Sequence, residues 1–356
     1  MAQIEVTLKE AQPLIMDAFR AGLTPAMVSS PGIGKSDLAR QICKKQNLKL
    51  IDIRLSMYDP ADLNGFPFIL NKDAPIEHIK AGFVPIEVWP VEGDELPINP
   101  ETGQQYNGWM ILLDEFNSAP LSVQAAAYKL TLDRMVGMHR LHSRCVVLAA
   151  GNKMTDKAIV QRTGTAQQSR MNWLTIKCCP IAWLEWAEAE ELDHRVCSMI
   201  RFKEDLLHKF DPNHTDLTFP CPRTWHFTSR IIKPWKDIIV QKLALLAGTV
   251  GDGAAREFYS FSKIYGKIPT LKEIIANPQG CRLGDEPSMQ FALSGMVSRH
   301  LDKNNAQPLV SFLDRLGIDF QVVALRNAIK RTPAIRMLPE VKLWLSTNSR
   351  ELVAND

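Results

Sequence analysis

No window of about 18 apolar residues occurs anywhere in the chain, so no membrane-spanning helix is expected. Charge of one sign is equally lacking. The 42 Lys and Arg nearly balance the 39 Asp and Glu, leaving a formal net charge of +3. So small an excess argues against nucleic acid or an anionic membrane as partner, and the sequence carries no recognisable DNA-binding motif. The seven cysteines, at 43, 145, 178, 179, 197, 221 and 281, include no C-x-x-C pair and no even framework. They read as reduced thiols in apolar surroundings, neither zinc ligands nor disulfides, which makes a cytoplasmic location the expectation. The first residues, Met1-Ala2-Gln3-Ile4-Glu5, carry an early acid and no apolar segment, so no signal peptide is expected. Internal repeats and low-complexity tracts are missing. The eight histidines are scattered, and His139 with His142 is too little for a metal site. Trp183, Trp186, Trp225 and Trp235 have no basic stripe beside them, so they read as helical core and not as a platform for bases.

What remains is an ordinary globular composition, 46% hydrophobic and 23% charged over 356 residues, long enough for two or three domains. One stretch stands out. Ser29-Ser30-Pro31-Gly32-Ile33-Gly34-Lys35-Ser36 follows a short apolar run, Pro25–Val28, and precedes Asp37-Leu38-Ala39-Arg40-Gln41-Ile42, which has helical spacing. Strand, Gly-rich loop ending in Lys-Ser, then helix is the context of a phosphate-binding P-loop. Gly32 and Gly34 let consecutive N–H groups curl inward toward phosphate oxygens, and the helix N-terminus adds partial positive charge. Lys35 can reach the β- and γ-phosphates, and the Ser36 hydroxyl can ligate Mg²⁺. The first position of the usual pattern is Gly; here it is Ser29, small enough to permit the turn.

Thr7-Leu8-Lys9-Glu10 has the form of a capping box, but Pro13 interrupts it and moves the expected helix start to near Gln12–Pro13. The helix after Lys35 is expected to run to about Gln46, and Leu48–Leu55 reads as a strand. Residues 59–108, rich in Pro, Gly, Asn and Asp, read as a long irregular insertion. Trp109–Leu113 is a continuous apolar run that suits a central parallel strand. It ends in Asp114-Glu115, and a helix is expected over Leu121–Leu132. Arg144–Ala150 is a further buried strand, ending in Gly151-Asn152. Alternating strands and helices imply a doubly wound parallel sheet. Beyond about residue 180 the strand signals fade; Trp183–Ala187, Leu206–Phe210 and Ile238–Leu246 look helical, as does most of the last hundred residues.

Asp114-Glu115 closes an apolar strand downstream of a P-loop. An Asp there can hold Mg²⁺, and a Glu directly after it can act as general base on water. Asn152 would lie beside the γ-phosphate if its strand runs between the two motif strands, and could orient that water; Gly-Asn is also a common turn dipeptide.

In this order, Ser-x-Pro-Gly-x-Gly-Lys-Ser, Leu-Leu-Asp-Glu-Phe-Asn and Ala-Ala-Gly-Asn resemble an AAA+ ATPase, and more narrowly the MoxR group. Asp59-Pro60-Ala61-Asp62-Leu63-Asn64-Gly65 resembles that group's acidic Asp-Leu-x-Gly segment. Asp114–Asn117 with Ala119-Pro120 and Gln124 resembles its Asp-Glu-Ile-Asn-x-Ala-Pro run, and Pro222-Arg223 the Pro-Arg that opens a lid helix. The resemblance covers about residues 5–250. It implies a P-loop (ASCE) doubly wound parallel sheet with helices on both faces over residues 1–178, a helical lid at 179–250, and a mostly helical region at 251–356. It further implies ATP and Mg²⁺ as cofactors, with Ser30–Asp37 around the phosphates and Ser36 and Asp114 at the metal. Glu115 would be the base, Asn152 the sensor 1 residue and Arg223 the sensor 2 arginine. Arg170, in Gln-Gln-Ser-Arg-Met, resembles the arginine finger that acts on a neighbour's ATP, with Arg162 as rival, since the usual Asp-Arg-Phe or Asn-Arg-Phe form is absent.

A finger acting in trans implies a homo-oligomeric ring, with a hexamer as the expected size. The implied activity is ATP-driven remodelling, assembly or maturation of a protein client, possible partners including a von Willebrand factor A domain protein. The 66–108 insertion and the segment around Val136–Arg140 are candidate gripping surfaces. A nucleic-acid motor or loader on the same core, and a nucleotide-dependent scaffold with little turnover, are the alternatives.

Overall fold

The computed structural model describes residues 4–73, 75–156, 164, 168–265, 269–284 and 286–348. Ten strands occur among them: β1 (Glu5–Val6), β2 (Pro25–Ser29), β3 (Leu48–Arg54), β4 (Phe66–Ile69), β5 (Ala81–Val84), β6 (Gly108–Asp114), β7 (Met135–Val136), β8 (His139–Arg140), β9 (Cys145–Asn152) and β10 (Asn172–Ile176). Six form one parallel sheet in the order β1-β10-β2-β9-β6-β3. The chain is an α/β protein with a doubly wound P-loop sheet and a helical C-terminal region.

The continuous apolar run in β6 follows from burial on both faces. Trp109, Ile111 and Leu113 pack on one side with Ile53, Val147, Val123 and Ala127. Met110 and Leu112, alternating with them, pack on the other with Met27, Leu148, Ala39 and Ile42. A strand with period 2 and two apolar layers has no room for polar residues until its tip.

Helix α1 (Leu8–Arg20) begins at the Thr7 capping box, not at Gln12–Pro13. The Thr7 side chain accepts from the Glu10 N–H at 3.2 Å, and the Glu10 carboxylate accepts from the Thr7 N–H at 2.8 Å. This reciprocal cap secures the first turn, and the helix runs through Pro13 although that residue has no N–H for the Lys9 carbonyl. Helix α2 (Lys35–Gln46) has the expected bounds.

The 59–108 segment is more ordered than its composition suggests. It opens with helix α3 (Pro60–Asn64) and continues into the antiparallel β4–β5 hairpin. Gly65 joins the two at φ +86°, where a Cβ would lie 2.4 Å from the Val84 carbonyl oxygen. Trp89, 2% exposed, anchors the return by donating its Nε1–H to the Asp62 carbonyl at 2.8 Å. The helix after β6, α4 (Leu121–Tyr128), is continued to Asp133 by a π-helical turn. Leu206–Phe210 is not a helix; a 3₁₀ turn occupies Glu204–Leu207. The short strands β1 and β10 carry no strand signal in the sequence; β10 extends the sheet on the side of β2 away from β9.

The described chain divides into two compact units. One comprises residues 1–183, 208–215 and 221–223; the other comprises 184–207, 216–220 and 224–356. The second is helical, with a core that includes Leu293, Val297, Leu309, Phe312, Leu325 and Trp344. No helix among the described residues is long and apolar enough to cross a membrane.

Candidate active site

The site is assembled at the carboxyl end of the sheet, where the parallel order brings the tips of β2, β9 and β6 side by side. β9 lies between the other two, so Asn152 falls between the P-loop and Asp114-Glu115. A crevice at this end of a doubly wound sheet is the ordinary place for a ligand.

The loop from Ser30 to Gly34 turns on two left-handed glycines, Gly32 at φ +76° and Gly34 at φ +114°. Gly34 caps α2 without any side-chain hydrogen bond, so the first N–H groups of the helix face the loop, as an anion-binding turn requires. A Cβ at Gly32 would lie 2.4 Å from the Cys221 Sγ. Ser29 stays in ordinary strand conformation, which explains why the usual glycine is dispensable there. Its buried hydroxyl donates to the Ser30 carbonyl at 2.8 Å and accepts from Lys35 Nζ at 2.8 Å.

Lys35 is 8% exposed, and its ammonium also donates to Asn152 Oδ1 at 3.2 Å. Burial pulls its pKa down to about 8; the negative charges of Asp114 and Asp156 oppose that pull, and Arg223 adds to it. The Ser36 hydroxyl donates to Asp114 Oδ2 at 2.7 Å, and Asp114 Oδ1 accepts the Glu115 N–H at 2.9 Å. Glu115 is in the left-handed region at φ +53°, a conformation that costs a non-glycine residue of order 1–3 kcal/mol. That turn breaks the pleat, so adjacent Asp114 and Glu115 need not point to opposite faces. The Ser56 hydroxyl donates to Glu115 Oε2 at 2.7 Å.

Of the remaining expected residues, Ile33 packs in the core beneath the loop, and the exposed Asp37 side chain pairs with Arg40 at 2.8 Å on the helix surface, not in the crevice. The Arg223 N–H donates to the Gly32 carbonyl at 3.1 Å, and its charge acts on Lys35, which places it at the loop. Arg170 lies before β10 with its guanidinium carbon 5.2 Å from the centre of the Tyr128 ring. Arg162 lies outside the described residues. Ser56, Asp156, His208, Cys221 and Asn117 also line this part of the structure. His208 meets the Pro31 carbonyl with its Nε2 at 3.4 Å. Asn117 lies in the Asp114–Asn117 motif; the others carry no motif signature, and only folding brings them to the site.

No family model and no curated protein matches the chain. Among solved structures, it is similar to an inferred ATPase from Cytophaga hutchinsonii at 12% identity and a TM-score of 0.37, covering 92% of this chain and 81% of that one. A variant of RuvB from Thermotoga maritima matches at 12% identity and a TM-score of 0.37, covering 76% of this chain and 75% of that one. NtrX from Brucella abortus matches at 12% identity and a TM-score of 0.36, covering 99% of this chain and 69% of that one. The strand order and the side chains at the strand tips, not these remote similarities, define the site.

Lys35 gives the site a pH signature. Bound phosphate favours the ammonium form, but the free site holds it only below about pH 8. Nucleotide affinity is therefore expected to be steady below that value on Lys35's account. Above it, affinity weakens by up to about tenfold per pH unit, because binding must then take up a proton. Fluorescence titration with a labelled nucleotide across this range checks it. A flat profile through pH 9 would mean either that Lys35 keeps its proton there or that it does not meet the phosphates.

Proposed function

We propose that this chain is an AAA+-type ATPase of MoxR-like character, hydrolysing ATP in a homo-oligomeric ring to remodel or mature a protein client. The observation that carries the catalytic part is the 2.7 Å contact between Ser36 and Asp114, which joins the P-loop to the tip of a strand two places away with Asn152 between them. A hydroxyl and a carboxylate are hard oxygen donors, the ligand type that suits Mg²⁺, whose remaining positions are ordinarily filled by phosphate and water. The left-handed glycines and the uncapped start of α2 fit the phosphates.

In this reading the backbone of residues 30–35 and the Lys35 ammonium bind the phosphate chain. Ser36 and Asp114 would hold Mg²⁺, which would supply positive charge to the phosphates. Glu115 takes the proton of the attacking water, and Asn152 orients that water through its side-chain amide. Arg223 adds positive charge at the loop.

In this reading Arg170 is the finger that completes a neighbour's site, and that makes assembly part of the chemistry. Phe66, Phe68, Ile69, Phe83 and Val84 of the β4–β5 hairpin and Met138 of the β7–β8 turn are all exposed, an apolar surface suited to holding a protein segment. A von Willebrand factor A domain protein remains the partner that the family resemblance suggests.

The metal arrangement is tested by calorimetric ATP titration with Mg²⁺ and with a chelator. In the wild type, Mg²⁺ is expected to tighten binding by about tenfold or more, the size of one or two charge-assisted contacts. Asp114→Asn should lose most of that gain while still binding ATP. Equal gains in both chains would remove Asp114 from the metal.

A further inference from the structure

The tip of β9 extends past the strand that should support it. β6 pairs with β9 only as far as Leu113 against Ala149, and then turns away at the left-handed Glu115. On the opposite edge, β2 continues to pair up to Ser29 against Asn152. On the β6 side, the peptide groups of Asn152 have outrun their strand.

A side chain takes the strand's place. Asn117 is 5% exposed, two residues after Glu115. Its Nδ2–H donates to the Asn152 carbonyl at 2.7 Å, and its Oδ1 accepts the Asn152 N–H at 3.1 Å. A primary amide carries the same donor and acceptor pair as a peptide, so Asn117 acts as one more rung of the ladder. Gly151 makes room for it. A Cβ on Gly151 would lie 2.5 Å from Asn117 Oδ1 and 2.9 Å from its Cγ. Gly-Asn at 151–152 is therefore a slot for an amide and not a generic turn.

The residue held in this way is the one whose Oδ1 accepts from Lys35. We infer that Asn117 is a positioning residue for the hydrolytic step: it fixes Asn152, and hence the water that Asn152 orients, relative to Glu115. This rests on the proposed ATPase reading. Other side chains do not substitute. Asp keeps the shape but turns an oxygen toward the Asn152 carbonyl, Gln is one methylene too long, and Ser cannot span both groups.

The test is a set of turnover measurements on Asn117→Ala, Asn117→Asp, Gly151→Ala, Asn152→Ala and the Asn117→Ala/Asn152→Ala double variant. Nucleotide affinity and amide hydrogen exchange are followed alongside. Each of the Asn117 and Gly151 variants is expected to lower kcat by about 10–100-fold, the usual cost of removing a group that orients a reacting one. ATP affinity should stay within about twofold. The double variant should be no slower than Asn152→Ala alone, because Asn117 acts only through Asn152. The Asn152 amide should exchange faster in Asn117→Ala while the middle of β9 keeps its protection. Additive losses in the double variant would overturn the proposal, and so would wild-type turnover in Asn117→Ala. A wild-type chain with no turnover at all, its Asn152 amide still protected, would instead overturn the ATPase reading on which the catalytic role depends.

Discussion

Glu115→Gln is expected to bind ATP normally and to hydrolyse it at least about 100-fold more slowly than the wild type. The substitution is nearly isosteric, and the Gln carbonyl can still accept from Ser56 Oγ, which meets Glu115 Oε2 at 2.7 Å. The strained backbone at φ +53° gains nothing from it either, so fold and loop should persist. What is lost is the ability to take a proton from water. Single-turnover phosphate release gives the rate, and equilibrium titration gives the affinity. Near-normal release would remove Glu115 from the chemistry. It would also leave its left-handed conformation and its Ser56 contact without a catalytic reason.

Arg170→Ala should have the largest effect of any single change outside the P-loop. A guanidinium that neutralises transition-state charge from a neighbouring subunit is worth about 10³–10⁵ in rate in known nucleotide hydrolases. The Arg170 guanidinium carbon lies 5.2 Å from the centre of the Tyr128 ring. Monomer affinity for nucleotide should be unchanged while turnover of the assembled form collapses. Mixing gives the sharper result. Arg170→Ala chains have intact P-loops, and Lys35→Ala chains have intact arginines. Each is expected to be inactive alone, and the mixture should regain activity at sites where the two meet. Full activity of Arg170→Ala would pass the role to Arg162. Failure of the mixture to recover, with both chains folded, would argue that catalysis is confined to one chain.

The parts of the fold legible in the sequence were those set by local chemistry. The P-loop announced itself because Gly32, Gly34, Lys35 and Ser36 are needed at fixed offsets whatever surrounds them. β6 and β9 were legible because a strand buried on both faces must be apolar throughout. The position of β9 between β2 and β6 was only a condition in the sequence; the strand order meets it, and Asn152 thereby comes within 3.2 Å of Lys35. Pro13 resembles a helix boundary in the sequence, but the Thr7–Glu10 cap settles the first turn of α1 before Pro13 is reached. Pro and Gly punctuate the 59–108 segment and make its sequence look irregular; the Trp89–Asp62 bond that closes the chain around its hairpin is one that no local pattern encodes. β10 escaped for a similar reason: Asn172-Trp173-Leu174-Thr175-Ile176 is short and mixed, and its pairing to β2 is long-range. Asn117 lies inside the Asp114–Asn117 motif, yet its task depends on where β6 stops pairing, which is a property of the sheet.

The most direct test of the site is phosphate release per chain, measured with ATP and Mg²⁺ over a range of chain concentrations beside Lys35→Ala. Turnover that rises with concentration to a plateau, and is absent in Lys35→Ala, is the expected outcome for an ATPase whose sites are completed between subunits. No release above the Lys35→Ala background at any concentration would contradict the assignment of this crevice as a hydrolytic site.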